Sequence, residues 1–211
     1  RQRQMCIRDS TNIVGKYGTQ VQAVLKKAAG LDIQMLLPLH GFVWRQDLGY
    51  ILGKYDLWSR YEPEQRGVVI AYASVYGGTE NAANILACRL REQGVQVEMF
   101  DTSVTPVSYI LAAAFRFSHV VLAAPTYNGG VFVTMENLLH DLTAHGLKGR
   151  RAAYIENGSW APTSARGMQK LLEPLNWETA ADTVTLRSAL RQGQQEDLER
   201  MAMQLAESVK A

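Results

Sequence analysis

The spacing of apolar residues changes character near Gly67. From there to the C-terminus, short apolar runs alternate with amphipathic stretches. Val68 to Ala73, Val120 to Ala124 and Ala152 to Ile155 are continuous runs bounded by loop residues, too short for helices. Such runs fit strands buried on both faces. Val95 to Phe100 and Thr183 to Leu186 add two more. Between them the period lengthens. Ala82, Ile85, Leu86 and Leu90 form one helical face, with Gly94 beyond its end. Ser108–Phe117, about Thr134–His145 and Ala165–Leu172 also read as helices. A last helix sets Leu198, Met201, Ala202, Leu205 and Val209 on one side. Five strands alternating with helices predict an α/β fold, with a parallel sheet covered on both faces. Right-handed crossovers leave two doubly wound strand orders open.

Upstream of Gly67 the pattern is thinner. Val21, Val24, Leu25 and Ala28 recur at helical spacing, and Gly30 follows as a stop. Ile33 to Leu37 reads as a short strand, ending in Pro38-Leu39-His40-Gly41. Leu48, Ile51, Leu52 and Tyr55 mark a second helix that runs to about Trp58. Residues 59–66 are polar, contain Pro63 and read as a linker. Two helices and a strand in about fifty residues bury too little surface for a core of their own. Residues 11–58 are therefore expected to be part of a larger domain. Residues 1–10 show no periodicity, cap or apolar face. The string Arg3-Gln4-Met5-Cys6-Ile7-Arg8-Asp9-Ser10 reads like translated adapter sequence, so residues 1–10 are expected to be non-native and the chain a truncated product.

Composition narrows the class. The 211 residues are 47% hydrophobic and 20% charged, as in ordinary globular proteins. No apolar run approaches the length of a membrane span, and no apolar stretch follows the N-terminal arginines as in a secretory signal. The net charge of +2 is accounted for by Arg1, Arg3 and Arg8 against Asp9. The remainder is neutral, with no basic stripe for nucleic acid. Cys6 and Cys88 lack the spacing of a disulfide framework or metal site and suggest a reducing, cytoplasmic setting. Cys88 reads as a small buried residue of a helix.

Open parallel sheets bind ligands at the carboxyl ends of their strands. The loop after the first strand is Ser74-Val75-Tyr76-Gly77-Gly78-Thr79, with Glu80 and Asn81 at a helix start. Glycines let successive N–H groups converge, the helix dipole favours an anion, and Ser74 and Thr79 add hydroxyls. There is no lysine and no GxGxxG, so a phosphate monoester suits it better than a triphosphate or dinucleotide. A plain strand-to-helix turn would also use these glycines. The loop Pro125-Thr126-Tyr127-Asn128-Gly129-Gly130 suits a flat ring lying against backbone. A glycine peptide there rotates cheaply and could turn a carbonyl toward a reduced flavin nitrogen. A glycine-rich turn with a surface tyrosine is the plainer alternative. The loop Glu156-Asn157-Gly158-Ser159-Trp160-Ala161-Pro162 carries an indole that would shield a planar ligand, or else pack on its own helix. The first strand ends in Ala73-Ser74, without the acidic residues a response regulator needs.

From about Asn12 to Ala211 the chain resembles the C-terminal part of the flavodiiron proteins, or A-type flavoproteins. The resemblance rests on Asn12-Ile13-Val14-Gly15-Lys16-Tyr17-Gly18, on Leu39-His40-Gly41 with Trp44-Arg45, and on Tyr72-Ala73-Ser74-Val75-Tyr76-Gly77. Thr126-Tyr127-Asn128 and Asn157 to Pro162 complete it. It implies a five-stranded, flavodoxin-like, doubly wound FMN-binding domain at 67–211, a linker at 59–66, and at 11–58 the end of a metallo-β-lactamase-like diiron domain. FMN would be held by Ser74, Val75, Tyr76, Gly77, Gly78 and Thr79, by Pro125, Thr126, Tyr127, Asn128, Gly129 and Gly130, and by Asn157, Gly158, Ser159 and Trp160. Gly78, Gly129 and Gly130 are taken as tolerant positions. His40 is similar to the family's last iron-ligating histidine. The other ligands would lie upstream of Arg1, and a lone imidazole cannot hold a diiron pair. Phe42 stands where the family commonly has proline; His119, His140 and His145 are read as structural.

The implied parent protein is a homodimer. A donor such as rubredoxin or another reductase reduces its FMN, and the diiron site then reduces oxygen or nitric oxide. This chain alone would transfer electrons and holds no catalytic residue of its own. A stand-alone flavodoxin-like carrier and a non-catalytic module with a vestigial flavin pocket are the alternatives. An FMN-dependent quinone reductase on the same fold is disfavoured by the residues upstream of Gly67.

Overall fold

The computed structural model describes residues 2–211. Five parallel positions make the sheet. Strand β1 (Gln65–Tyr72) lies between β2 (Val97–Asp101) and β3 (Phe117–Tyr127), and β5 (Arg151–Asn157) pairs with β3 on its far side. The fifth position is split. β6 (Glu178–Thr179) pairs with the start of β5 and β7 (Val184–Leu186) with its end. A two-residue strand, β4 (Gly130–Val131), folds back on the end of β3. The order β2-β1-β3-β5-β7 is the flavodoxin-like choice of the two doubly wound orders.

Helices cover both faces. α4 (Gly78–Glu92) and α8 (Gln192–Lys210) pack Leu86, Leu90, Leu198, Met201 and Leu205 against Ile70, Val121 and Ile155. On the other face, α5 (Val107–Arg116), α6 (Val133–Ala144) and α7 (Ser164–Leu172) enclose Leu122, Phe115, Leu138 and Met168. Strands running between two helical layers have no solvent-facing side, which explains the continuous apolar runs. Among the described residues no helix is long and apolar enough to cross a membrane.

The N-terminal segment joins the second face. α1 (Gln2–Val14) lies on α5, and Cys6 and Ile7 are buried there. The expectation of no apolar face in residues 1–10 does not hold. Cys6, Ile7, Ser10 and Thr11 form a narrow buried stripe, and the Arg8 guanidinium sits 4.7 Å from the Tyr109 ring centroid. α2 (Gly18–Ala28) is fixed to α3 (Leu48–Ser59) by polar contacts: Gln22 Nε2 donates to Asp56 Oδ1 at 2.9 Å and to Ser59 Oγ at 2.8 Å. From α3, Ile51 and Trp58 reach the core.

Three further expectations are corrected. Ile33 to Leu37 is not a strand. Leu36 makes an isolated antiparallel bridge to Trp44, and the neighbouring residues find no ladder partner. The linker ends earlier, because β1 begins at Gln65. Cys88 is exposed, since the buried stripe of α4 runs through Ala83, Leu86, Ala87 and Leu90 and residue 88 turns away from it; Cys6 is the buried cysteine.

Arg150 joins these layers. Its side chain is almost fully buried and donates to Ala114 O at 2.7 Å, Tyr61 O at 2.6 Å, Phe115 O at 2.5 Å and Lys148 O at 3.0 Å. Burial pulls its pKa from 12.5 down to about 9, which leaves it charged at neutral pH. Arg150→Met should cost about 3 kcal/mol or more in urea denaturation, because several carbonyls lose their only partner. Arg150→Lys should recover little of this, since an ammonium cannot reproduce the fork.

His119 lies within β3, 3% exposed, with Ser118 Oγ 2.8 Å from Nδ1 and Ser208 Oγ 2.9 Å from Nε2. Burial, with Arg151 and Arg66 nearby, lowers its pKa from 6.5 to about 4. The unfolded chain takes up a proton that the folded chain refuses. Stability should therefore fall as pH drops from about 6.5 to about 4, by roughly 3 kcal/mol in all. His119→Gln should flatten that window in denaturation curves taken across it.

Candidate functional site

The carboxyl ends of β1, β3, β5 and β7 open onto a cavity of about 430 Å³. Ser74, Val75, Tyr76, Gly78 and Thr79 line it from the first loop, Pro125, Thr126 and Tyr127 from the second, and Asn157, Gly158 and Ser159 from the third. Ser188 and Ala189, from the loop after β7, complete the wall. Sequence reasoning missed these two. The signal available was the fifth strand itself, whose carboxyl end must reach the same sheet edge.

One end of the cavity is built for an anion. Gly77, at φ +82°, turns the chain into α4, and Asn81 N donates to Gly77 O at 2.8 Å to close the first turn. The first N–H groups of α4 thus lack helical partners, and no side chain caps them. Gly77 N donates to Ser74 Oγ at 3.1 Å, which leaves the serine proton free. No charged side chain lines the cavity, so an anion there would be met by neutral dipoles.

Asn157 holds the loops together. Its side chain is buried among three of them; Ser188 N donates to Oδ1 at 2.9 Å, and Nδ2 donates to Ser188 O at 2.9 Å and to Thr79 Oγ1 at 3.3 Å. The approach is close. A Cβ on Gly78 would lie 2.4 Å from Ser188 O and 3.2 Å from Asn157 Nδ2. Gly78 is therefore not a tolerant position.

The second loop is a hairpin turn. Asn128 and Gly129 both have positive φ, at 49° and 76°, between the paired Tyr127 and Gly130, as a type I′ turn demands. Thr163 Oγ1 donates to Gly129 O at 3.2 Å, which restrains the 129–130 peptide and leaves rotation to the 128–129 peptide. Thr126 Oγ1 accepts from Thr163 N at 2.8 Å and Ser164 N at 3.1 Å, so it caps α7 from outside. Glu156 does the same with Oε2, accepting from Ala165 N at 3.1 Å, which draws its charge away from the cavity.

Gly77, Asn128, Gly129, Gly130 and Trp160 belong to these loops but do not line the cavity. Trp160 is 93% exposed and Tyr76 98%, two large rings standing free beside a concave site. His40 does not line it and is exposed, on the stretch between α2 and α3. Among the described residues no group of three or more His, Cys, Asp and Glu side chains is arranged to hold a metal. His145 Nδ1 lies 2.7 Å from Asp141 O, and exposed His140 lies 3.9 Å from Glu136.

No protein-family model matches the chain. It is 25% identical over 186 residues to the anaerobic nitric oxide reductase flavorubredoxin of Vibrio vulnificus, covering 86% of this chain and 37% of that protein. The flavodiiron protein of Giardia intestinalis superposes with a TM-score of 0.90 at 21% identity, over 97% of this chain and 51% of that one. A Streptococcus pneumoniae flavodoxin superposes at 0.59, over 67% of this chain and 98% of that one, with 23% identity. The chain spans between 30% and 50% of the length of the curated relatives it matches. By these matches the chain is related, over most of its length, to the flavodiiron proteins.

Proposed function

We propose that the domain from Gly67 onward binds one FMN in the cavity at the carboxyl edge of the sheet and relays electrons through it. The observation that carries this is the meeting of an uncapped helix N-terminus with two further loops in one cavity that no charged side chain lines. The donor set suits the cofactor. The α4 N–H groups with Ser74 and Thr79 would take the phosphate, and the 126–128 and 157–160 segments would flank the ring. Tyr76 and Trp160, both nearly free of protein contact, would cover its faces and exclude water. When bound, FMN supplies one- and two-electron transfer; the protein's part is to hold it and to set the polarity around its ring.

For the parent protein we propose the family's activity: reduction of oxygen or nitric oxide at a diiron site, fed by a donor such as rubredoxin, within a homodimer. Residues 11–58 read as the end of the diiron domain, and His40 as its single ligand in this chain. In support, Val24, Leu31, Leu37 and Leu39 expose 64%, 67%, 69% and 97% of their surface. Aliphatic residues this open, on a segment with little core of its own, suit burial under more protein. The chain by itself would carry electrons without oxygen or nitric oxide turnover.

Purified protein titrated with FMN should quench flavin fluorescence saturably at one FMN per chain, and FMN in excess should raise the melting temperature. A vestigial pocket would give neither. Gly78→Ala should weaken FMN binding and lower stability by about 1–3 kcal/mol, because the Ser188 carbonyl must move. Gly130→Ala, whose nearest contact would be Tyr127 O at 3.6 Å, should leave both nearly unchanged.

A further inference from the structure

Hydrogen-bond polarity at Asn157 reaches further than loop packing. A backbone N–H can only donate, so the atom that meets Ser188 N must be the amide oxygen. The orientation of the Asn157 amide follows from this contact. Its nitrogen is the atom facing Ser188 O and Thr79 Oγ1, and it spends its two protons on them. Thr79 Oγ1 is thereby an acceptor on that side, and its own proton must go elsewhere. Thr79 is 2% exposed, and among the described residues its hydroxyl donates to no acceptor. The residue lines the cavity at the second position of α4, beside the uncapped N–H groups.

From this geometry we infer that Asn157 is a positioning residue that commits the Thr79 hydroxyl to donate into the cavity, and so selects a phosphate monoester there over an uncharged hydroxymethyl end. The inference rests on the FMN reading above and deepens it. A phosphate dianion accepts from every donor around it. A terminal alcohol brings a donor of its own and no charge. An unmatched buried donor would be left where the phosphate is missing, so the discrimination comes from the relay as well as from the helix dipole.

The test compares FMN with riboflavin on the full chain, by fluorescence quenching, in the wild type, Thr79→Val, Asn157→Asp and the double variant, with apo melting curves as the check on folding. Thr79→Val should lower the FMN-to-riboflavin affinity ratio roughly tenfold to hundredfold. Asn157→Asp replaces the donor with an acceptor, which would draw the Thr79 proton away from the phosphate. It should lower the ratio at least as much in the wild-type background and distinctly less when Thr79 is already valine. An equal factor in both backgrounds would mean that charge repulsion alone is at work and would overturn the relay. Loss of affinity for both flavins in parallel, with the ratio unmoved, would reduce Asn157 to a structural residue. If Asn157→Asp does not fold, NMR on the wild-type FMN complex decides. A through-hydrogen-bond coupling between the Thr79 hydroxyl proton and phosphorus is expected, and its absence overturns the relay. Failure of the wild type to bind FMN would overturn the relay and the FMN reading together, whereas binding with an unmoved ratio overturns the relay alone.

Discussion

A buried guanidinium with no carboxylate beside it must be solvated by something, and around Arg150 that something is backbone. The carbonyls of Ala114 and Phe115 belong to the last turn of α5, where the helix dipole is negative and the C=O groups lack helical partners. Lys148, Gly149 and Tyr61 supply the others. Tyr61 takes a left-handed φ of 60°, unusual for an aromatic residue, with its carbonyl on Arg150 and its ring tilted against Phe115 at 6.1 Å. One side chain thus ties the end of α5, the entry to β5 and the connector from α3 into β1. The connector that follows the N-terminal helices is held to the sheet by it, through Tyr61. Arg150 itself leads into β5, whose far end presents Asn157.

What the apolar pattern made legible, and what it did not, follows from the same layering. β1, β3 and β5 were readable because a parallel strand between two helical layers has no polar face to confuse the signal. β3 nonetheless runs to Tyr127, beyond the apolar run ending at Ala124, because its extension is held by pairing with β4. Ile33 to Leu37 had the composition of a strand and no partner to complete one, and composition cannot reveal a missing neighbour. α1 escaped notice because half of its buried stripe is Ser10 and Thr11. Ser188 and Ala189 carry no glycine or aromatic signature. Ser188 meets Asn157 through its backbone carbonyl and N–H, which every residue has, and only the fold brings it there with Ala189 beside it.

The exposed apolar surface is of two kinds, and their difference argues for two different covers. Tyr76 and Trp160 are single rings beside a cavity of about 430 Å³ whose charged neighbour, Glu156, is turned onto a helix end. Flat, isolated and set at the mouth of a neutral site, they match a planar ligand that brings its own charge. Val24, Leu31, Leu37 and Leu39 are aliphatic, lie close together in sequence, and do not line that cavity. They match a broad protein surface instead. Arg150 sits at the entry to β5 and Asn157 at its carboxyl end. On the reading proposed above, a cofactor would cover the first kind of surface and further protein the second.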